Sequence, residues 1–129
     1  MPPQPESVGE WLRYAHSDLA IAEAPAKPGV LLEMLCFHAQ QAAEKAIKAV
    51  LISRGLKPPK IHDIGALLDR LPADVPRTAE VEEARALTGY ATISRYPWAG
   101  TRASEEQYRE ALGVARAVVE WAGRVVGEE

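Results

Sequence analysis

The chain has 129 residues, 47% of them hydrophobic, which suits one core in one domain spanning residues 1–129. Its formal net charge is −3, so the basic excess of a general nucleic-acid binder is absent, although a local basic patch would be compatible with it. The single cysteine, Cys36, excludes an intrachain disulfide. The opening Met1-Pro2-Pro3-Gln4-Pro5 leads into a polar run unlike a secretory signal, and no apolar run is long enough to span a bilayer. The expectation is a cytoplasmic protein with no membrane association.

Proline and glycine clusters cut the chain into five helical segments, and no stretch shows strand alternation. A first helix begins at Ser7, whose spacing to Glu10 is that of a capping box. Trp11, Leu12, Ala15, Leu19 and Ala22 follow at helical spacing, and Pro25 and Pro28 end it. A second, central helix runs from Val30 to Arg54 and stops at Gly55, a candidate left-handed cap, with Pro58 and Pro59 beyond. A short third helix covers Asp63 to Leu71. A fourth runs from Thr78 into Ile93 and is terminated by Pro97. The last runs from Ser104, with Gln107 completing a second capping box, to Val126. Short connections favour antiparallel neighbours. The expected fold is all-α: an up-and-down helical bundle of four main helices plus one short helix.

On a wheel of about 100° per residue, Ala39, Ala42, Ala46 and Ala49 of the second helix share a broad apolar face with Leu35. His38, Gln41, Lys45 and Lys48 fall together in a narrow sector, with Glu44 at its edge and Gln40 further round. Two readings stay open. The stripe is either a solvated face or a binding surface whose ammonium, imidazole and amide groups donate to a phosphate or another acidic group. Asp18 falls inside the apolar sector of the first helix. A carboxylate facing a core needs a partner, and His38 or Lys45 is the first choice. The alternative is that Asp18 reaches water at the rim of the helix pair.

The segment Thr88 to Trp98 gathers aromatic residues around Arg95, just before Pro97. Arg95 and Tyr96 are expected to project from a helix end. They would serve phosphate or base recognition there, or else cap the helix and close the core. His62 opens the third helix beside Asp63, as a cap, a packed polar residue or a catalytic candidate. His16 is expected to be exposed. No metal-ligand spacing, nucleotide-binding glycine loop or serine nucleophile elbow is present, and no cofactor is expected.

Taken together, these residues resemble the HEPN domain family, the nucleotide-binding domain named for higher eukaryotes and prokaryotes. The resemblance covers nearly the whole chain. It runs from Trp11, Ala15, Asp18, Leu19 and Ala22, through Cys36-Phe37-His38-Ala39-Gln40-Gln41-Ala42-Ala43-Glu44-Lys45-Ala46-Ile47-Lys48-Ala49, to His62, Leu67, Leu68, Tyr90 and Ser94-Arg95-Tyr96-Pro97. It implies a helical bundle that forms a homodimer or higher homo-oligomer. It also implies a minimal nucleotidyltransferase as partner, encoded nearby, often in a toxin–antitoxin module. Some members are metal-independent ribonucleases whose arginine is followed four to six residues later by histidine. Here Arg95 is followed by Tyr96-Pro97-Trp98-Ala99-Gly100-Thr101, and all three histidines lie upstream.

Three functions are therefore carried forward. The first is a nucleotide- or phosphate-binding module using His38, Gln41, Lys45, Lys48, Arg95 and Tyr96, supported by Asp18 and Glu44. The second is an RNA-cleaving toxin in which Arg95 works with a displaced His38 or His62. The third is a structural dimerisation module without ligand. With the arginine–histidine spacing missing, binding ranks above catalysis.

Overall fold

The computed structural model describes residues 7–24, 27–92 and 102–127, and all its regular elements there are helical. Helix α1 spans Val8–Glu23 and α2 Leu32–Ser53; α3 is the short Ile64–Asp69 and α4 the single turn Ala79–Glu83. A 3₁₀ segment, Ala84–Thr92, follows, and α5 spans Glu105–Gly127.

The helix ends are set by the residues that mark them in the sequence. Ser7 accepts the amide of Glu10, while the Glu10 carboxylate turns to Arg13 and leaves the box half formed. The second box is complete: Ser104 accepts from the Gln107 amide and its own amide donates to Gln107. α2 closes in a Schellman motif. Leu56 N–H reaches Leu51 C=O at 3.0 Å and Gly55 N–H reaches Ile52 C=O at 2.9 Å. Gly55 sits at φ +77°, where a Cβ would meet no neighbour within 4 Å but would strain the backbone. Gly55→Ala is therefore expected to lower stability by about 1–2 kcal/mol in chemical denaturation, all of it from the left-handed conformation.

The fourth expected helix departs from the sequence reading. Only Ala79–Glu83 is α-helical, and the chain then tightens into 3₁₀ geometry through Thr92. A three-residue turn aligns positions i and i+3. Val81, Ala84 and Leu87 thereby fall on one buried line, with half-buried Tyr90 next along it. Thr88 and Gly89 are weak α-helix formers. The Thr88 hydroxyl accepts the first amide of α3, from Ile64 at 3.0 Å, which ties the segment down.

α2 is the axis of the bundle. Ala39, Ala42, Ala43, Ala46 and Ala49 are all fully buried, so α1, α5 and the 3₁₀ segment approach its backbone from several sides. α1 runs antiparallel to it: Trp11 lies against Lys48, and Asp18 against Lys45 and His38. α5 starts beside the start of α2, where the Ala103 amide donates to Glu33, and its far end is pinned by Trp121 Nε1 on Pro76 C=O at 2.6 Å. The segment from α4 to Tyr90 supplies the returning arm of the up-and-down path. Among the described residues no helix is long and apolar enough to cross a membrane.

Cys36 is fully buried, and burial pushes its thiol above the ordinary value of 9.0. Burial likewise raises the phenols of Tyr90 and Tyr108 above 10.0. A folded state that holds a proton more tightly than the unfolded chain loses relative stability as pH climbs past the unfolded value. Unfolding free energy is thus expected to decline from about pH 9 upward, and Cys36→Ala to remove the first part of that decline.

Candidate functional site

Two polar lines run along α2. The first faces α1. Asp18 shares the buried side of α1 with Trp11, Ala15 and Ala22, so its carboxylate is carried toward α2. Oδ1 lies 3.0 Å from His38 Nδ1 and Oδ2 2.5 Å from Lys45 Nζ. His38 and Lys45 are two helical turns apart on the same side of α2, and the long lysine side chain leans back toward the helix N-terminus to meet the same carboxylate. The Asp18 side chain is 10% exposed, His38 27% and Lys45 24%. With Nδ1 on a carboxylate, a neutral His38 ring carries its proton there and turns Nε2 away as an acceptor. Lys45 uses one ammonium proton on Asp18 and keeps two for other partners.

The second line is enclosed. Gln40, Glu44 and Lys48 follow one another at four-residue spacing and are each at most 2% exposed. Glu44 accepts from Gln40 Nε2 at 2.9 Å and from Lys48 Nζ at 3.1 Å, and its Oε1 lies 3.1 Å from His62 Nδ1. Gln40 also reaches the His62 carbonyl at 3.3 Å. The Lys48 ammonium sits 5.3 Å from the ring centre of Trp11, where a π face partly replaces lost water. Trp11 Nε1 itself is buried with no hydrogen-bond partner among the described residues. Gln41 extends the second line outward by donating to Gln40 Oε1 at 2.7 Å. The result is a polar seam along α2 made of two hydrogen-bonded clusters, Asp18–His38–Lys45 and Gln41–Gln40–Glu44–Lys48–His62, with Gln41 set between His38 and Lys45 on the helix surface.

This geometry re-sorts the stripe drawn on the wheel. His38, Gln41 and Lys45 stay together at a half-buried edge. Lys48 parts from them: α1 lays Trp11 over it and its charge is turned to Glu44, so it serves the interior. Gln40, placed away from the stripe on the wheel, is the fully buried link between its halves. The signal for it was present, since Gln40, Glu44 and Lys48 form an i, i+4, i+8 row of complementary polar groups. His62 is not the cap of α3. Asp63 is, accepting the Ala66 amide at 3.2 Å, and that cap turns the preceding histidine onto Glu44. His62 remains 48% exposed and closes the outer end of the seam. His16 is exposed. Arg95 and Tyr96, with Trp98, lie outside the described residues. Among the described residues no group of three or more histidine, cysteine or acidic side chains is placed to hold a metal ion.

The HEPN domain pattern matches residues 8–125, which takes in the seam and every helix that builds it. The chain belongs to the HEPN domain family. Two solved structures share its fold over almost their whole lengths. TT1696 from Thermus thermophilus is 31% identical, covers 92% of this chain and 97% of its own, and superposes with a TM-score of 0.78. ST0689, an archaeal HEPN homologue, is 32% identical over 92% of this chain and 98% of its own, with a TM-score of 0.70. No curated protein matches the sequence. The seam of this HEPN chain is thus built from two carboxylate–histidine pairs, Asp18 with His38 and Glu44 with His62, each with a lysine on the carboxylate, and the Gln41–Gln40 amides bonded to the Glu44 side.

Proposed function

We propose that this HEPN chain binds a nucleotide or another phosphate-bearing ligand at the His38–Gln41–Lys45 edge, as a homodimer, and that it acts beside a minimal nucleotidyltransferase in a toxin–antitoxin-type module. One observation carries the binding reading. A single buried carboxylate, Asp18, holds an imidazole and an ammonium group side by side at an edge still about a quarter exposed. That is preorganisation of an ammonium donor, with the Gln41 amide beside it, toward an acidic acceptor, and of the His38 Nε2 acceptor toward a hydroxyl of the same ligand. Arg95 and Tyr96 would add phosphate and base contacts, while Lys48 acts from the interior by fixing Glu44. The nucleotidyltransferase partner rests on the family resemblance.

The dimer reading has support of its own. Tyr14 and Ile21 lie on the same side of α1 as Asp18, one turn to either side of it, and are 41% and 43% exposed. A second copy laid on α1 would cover them and bring two binding edges together. Sedimentation should give a dimer for the unaltered chain and a monomer for Ile21→Asp.

The binding test is calorimetry with ATP as probe. ATP is expected to bind, Lys45→Ala to weaken it at least tenfold, and Lys45→Arg to restore most of the affinity. Heat equal to buffer for ATP, or unchanged affinity in Lys45→Ala with an unchanged circular-dichroism spectrum, would overturn the reading. One observation favours RNA cleavage as a second reading: Asp18 on Nδ1 leaves His38 Nε2 free to take a proton from a 2′-hydroxyl, with Arg95 to stabilise charge on the phosphate. RNA cleavage that persists in His38→Ala and Arg95→Ala alike would remove it.

A further inference from the structure

On the other side of the bundle, α4 and the 3₁₀ segment stand apart from the first half of α5 and leave an open groove of about 590 Å³. It shares no residue with the seam. Its apolar lining is Ala86 and Val114, with the nearly buried Leu87 and Ala111 beneath them, and Gly113 keeps one wall free of side chain. Its rim is acidic. Glu80 and Glu83 stand on one side and Glu110 on the other, and none of the three has an ion-pair partner among the described residues. The cation on the rim, Arg109, is turned along its own helix to Glu105 at 3.1 Å.

An apolar floor between unpaired carboxylates selects an occupant with two properties. It must bring apolar side chains to bury and cations spaced to reach both rims. A small polyamine satisfies the charge and leaves the floor wet; a neutral apolar segment leaves the carboxylates unpaired. We infer that the groove docks a basic amphipathic helix of a protein partner, its apolar stripe on Ala86 and Val114 and its lysines or arginines against Glu80, Glu83 and Glu110. This goes beyond the phosphate-binding reading and does not depend on it: the two sites have opposite charge preference and different residues.

The probe is a synthetic helical peptide of about 14 residues, with leucine at positions i, i+3, i+4 and i+7 and lysine elsewhere, added to the full chain with backbone amides followed by NMR. The leucine–lysine peptide is expected to bind saturably, to shift amides at Ala86, Leu87, Ala111, Gly113 and Val114, and to weaken as salt is raised. A leucine–glutamate peptide should leave these amides unmoved. Glu83→Lys and Glu110→Lys are expected to cut affinity at least tenfold each with the fold unchanged by circular dichroism, whereas Glu120→Lys, outside the groove, leaves it unchanged. Equal loss in Glu120→Lys would mean general attraction to an acidic protein and would overturn the assignment. So would displacement of the peptide by equimolar spermine, or the same amide shifts arising on concentrating the chain alone, which would name a small cation or a second copy as the occupant. Because ATP binding and peptide binding are read at different residues, failure of one is distinguishable from failure of the other.

Discussion

Lys48→Ala is expected to destabilise the fold by about 3–5 kcal/mol, the largest effect of any polar substitution in the chain. Lys48 and Glu44 are side chains only 2% and 3% exposed, and the ammonium–carboxylate pair at 3.1 Å is buried between α1 and α2. Removing the lysine strands the Glu44 carboxylate where water cannot reach it, with Gln40 and His62 as its remaining partners. Desolvating an unpaired carboxylate is far more costly than losing a surface ion pair. A companion variant separates charge stranding from loss of packing. When Glu44→Gln is combined with Lys48→Met, neither charge remains, the volumes are nearly kept, and the introduced amide can still accept from Gln40. Most of the lost stability should return, because a buried ion pair is worth little against a well-packed neutral replacement. Urea denaturation of the unaltered chain, both single variants and the double variant checks this. If the double substitution, with its volume kept and both charges gone, is as unstable as Lys48→Ala, the ion pair itself is net stabilising and charge stranding is not the main cost.

The enclosed half of the seam also bears on the exposed half. Gln41, at the proposed binding edge, is held by Gln40, which is held in turn by Glu44. A fully satisfied polar network fixes rotamers that an apolar interior would leave free, and a binding edge needs such support from behind. Lys48 is then a positioning residue for the site and not one of its ligands.

How far this was legible in the sequence differs from element to element. The alanine face of α2 identified the central helix, because a helix with small residues on several sides has to be surrounded. Ser7, Ser104 and Gly55 announced helix ends, since each acts through its immediate neighbours. Asp18 announced its need for a partner by sitting among Trp11, Ala15 and Ala22. What escaped was whatever depended on a neighbouring element. Lys48 and Lys45 look alike on a wheel; only the antiparallel course of α1 puts Trp11 over one and Asp18 over the other. Gln40 gained its role from the chain returning to His62, a contact spanning 22 residues. The 3₁₀ geometry of Ala84–Thr92 hid because Val81, Ala84, Leu87 and Tyr90 fit a period of 3 and, over so few turns, nearly fit 3.6 as well.

Asp18→Ala is expected to cost about 1.5–3 kcal/mol, the second largest polar effect, by removing the common acceptor of His38 and Lys45. The loss is smaller than at Lys48 because both partners are about a quarter exposed and can recover water. A double-mutant cycle isolates the pair. Coupling between Asp18→Ala and Lys45→Ala should exceed about 1 kcal/mol, since a charge-assisted bond to a carboxylate only 10% exposed is shielded from bulk screening. It should survive about 0.5 M salt, roughly where the Debye length falls below 5 Å and surface pairs fade. The exposed Arg13–Glu10 pair on the same helix is the internal control, and its coupling should vanish under the same conditions. Coupling at Asp18 that disappears with salt as readily as coupling at Glu10 would mean that the carboxylate is open to solvent. It would then no longer hold His38 and Lys45 in fixed geometry, and the physical basis for a preorganised phosphate site at this edge would go with it. Coupling that persists means the fold itself holds the imidazole and the ammonium group in register before any ligand arrives.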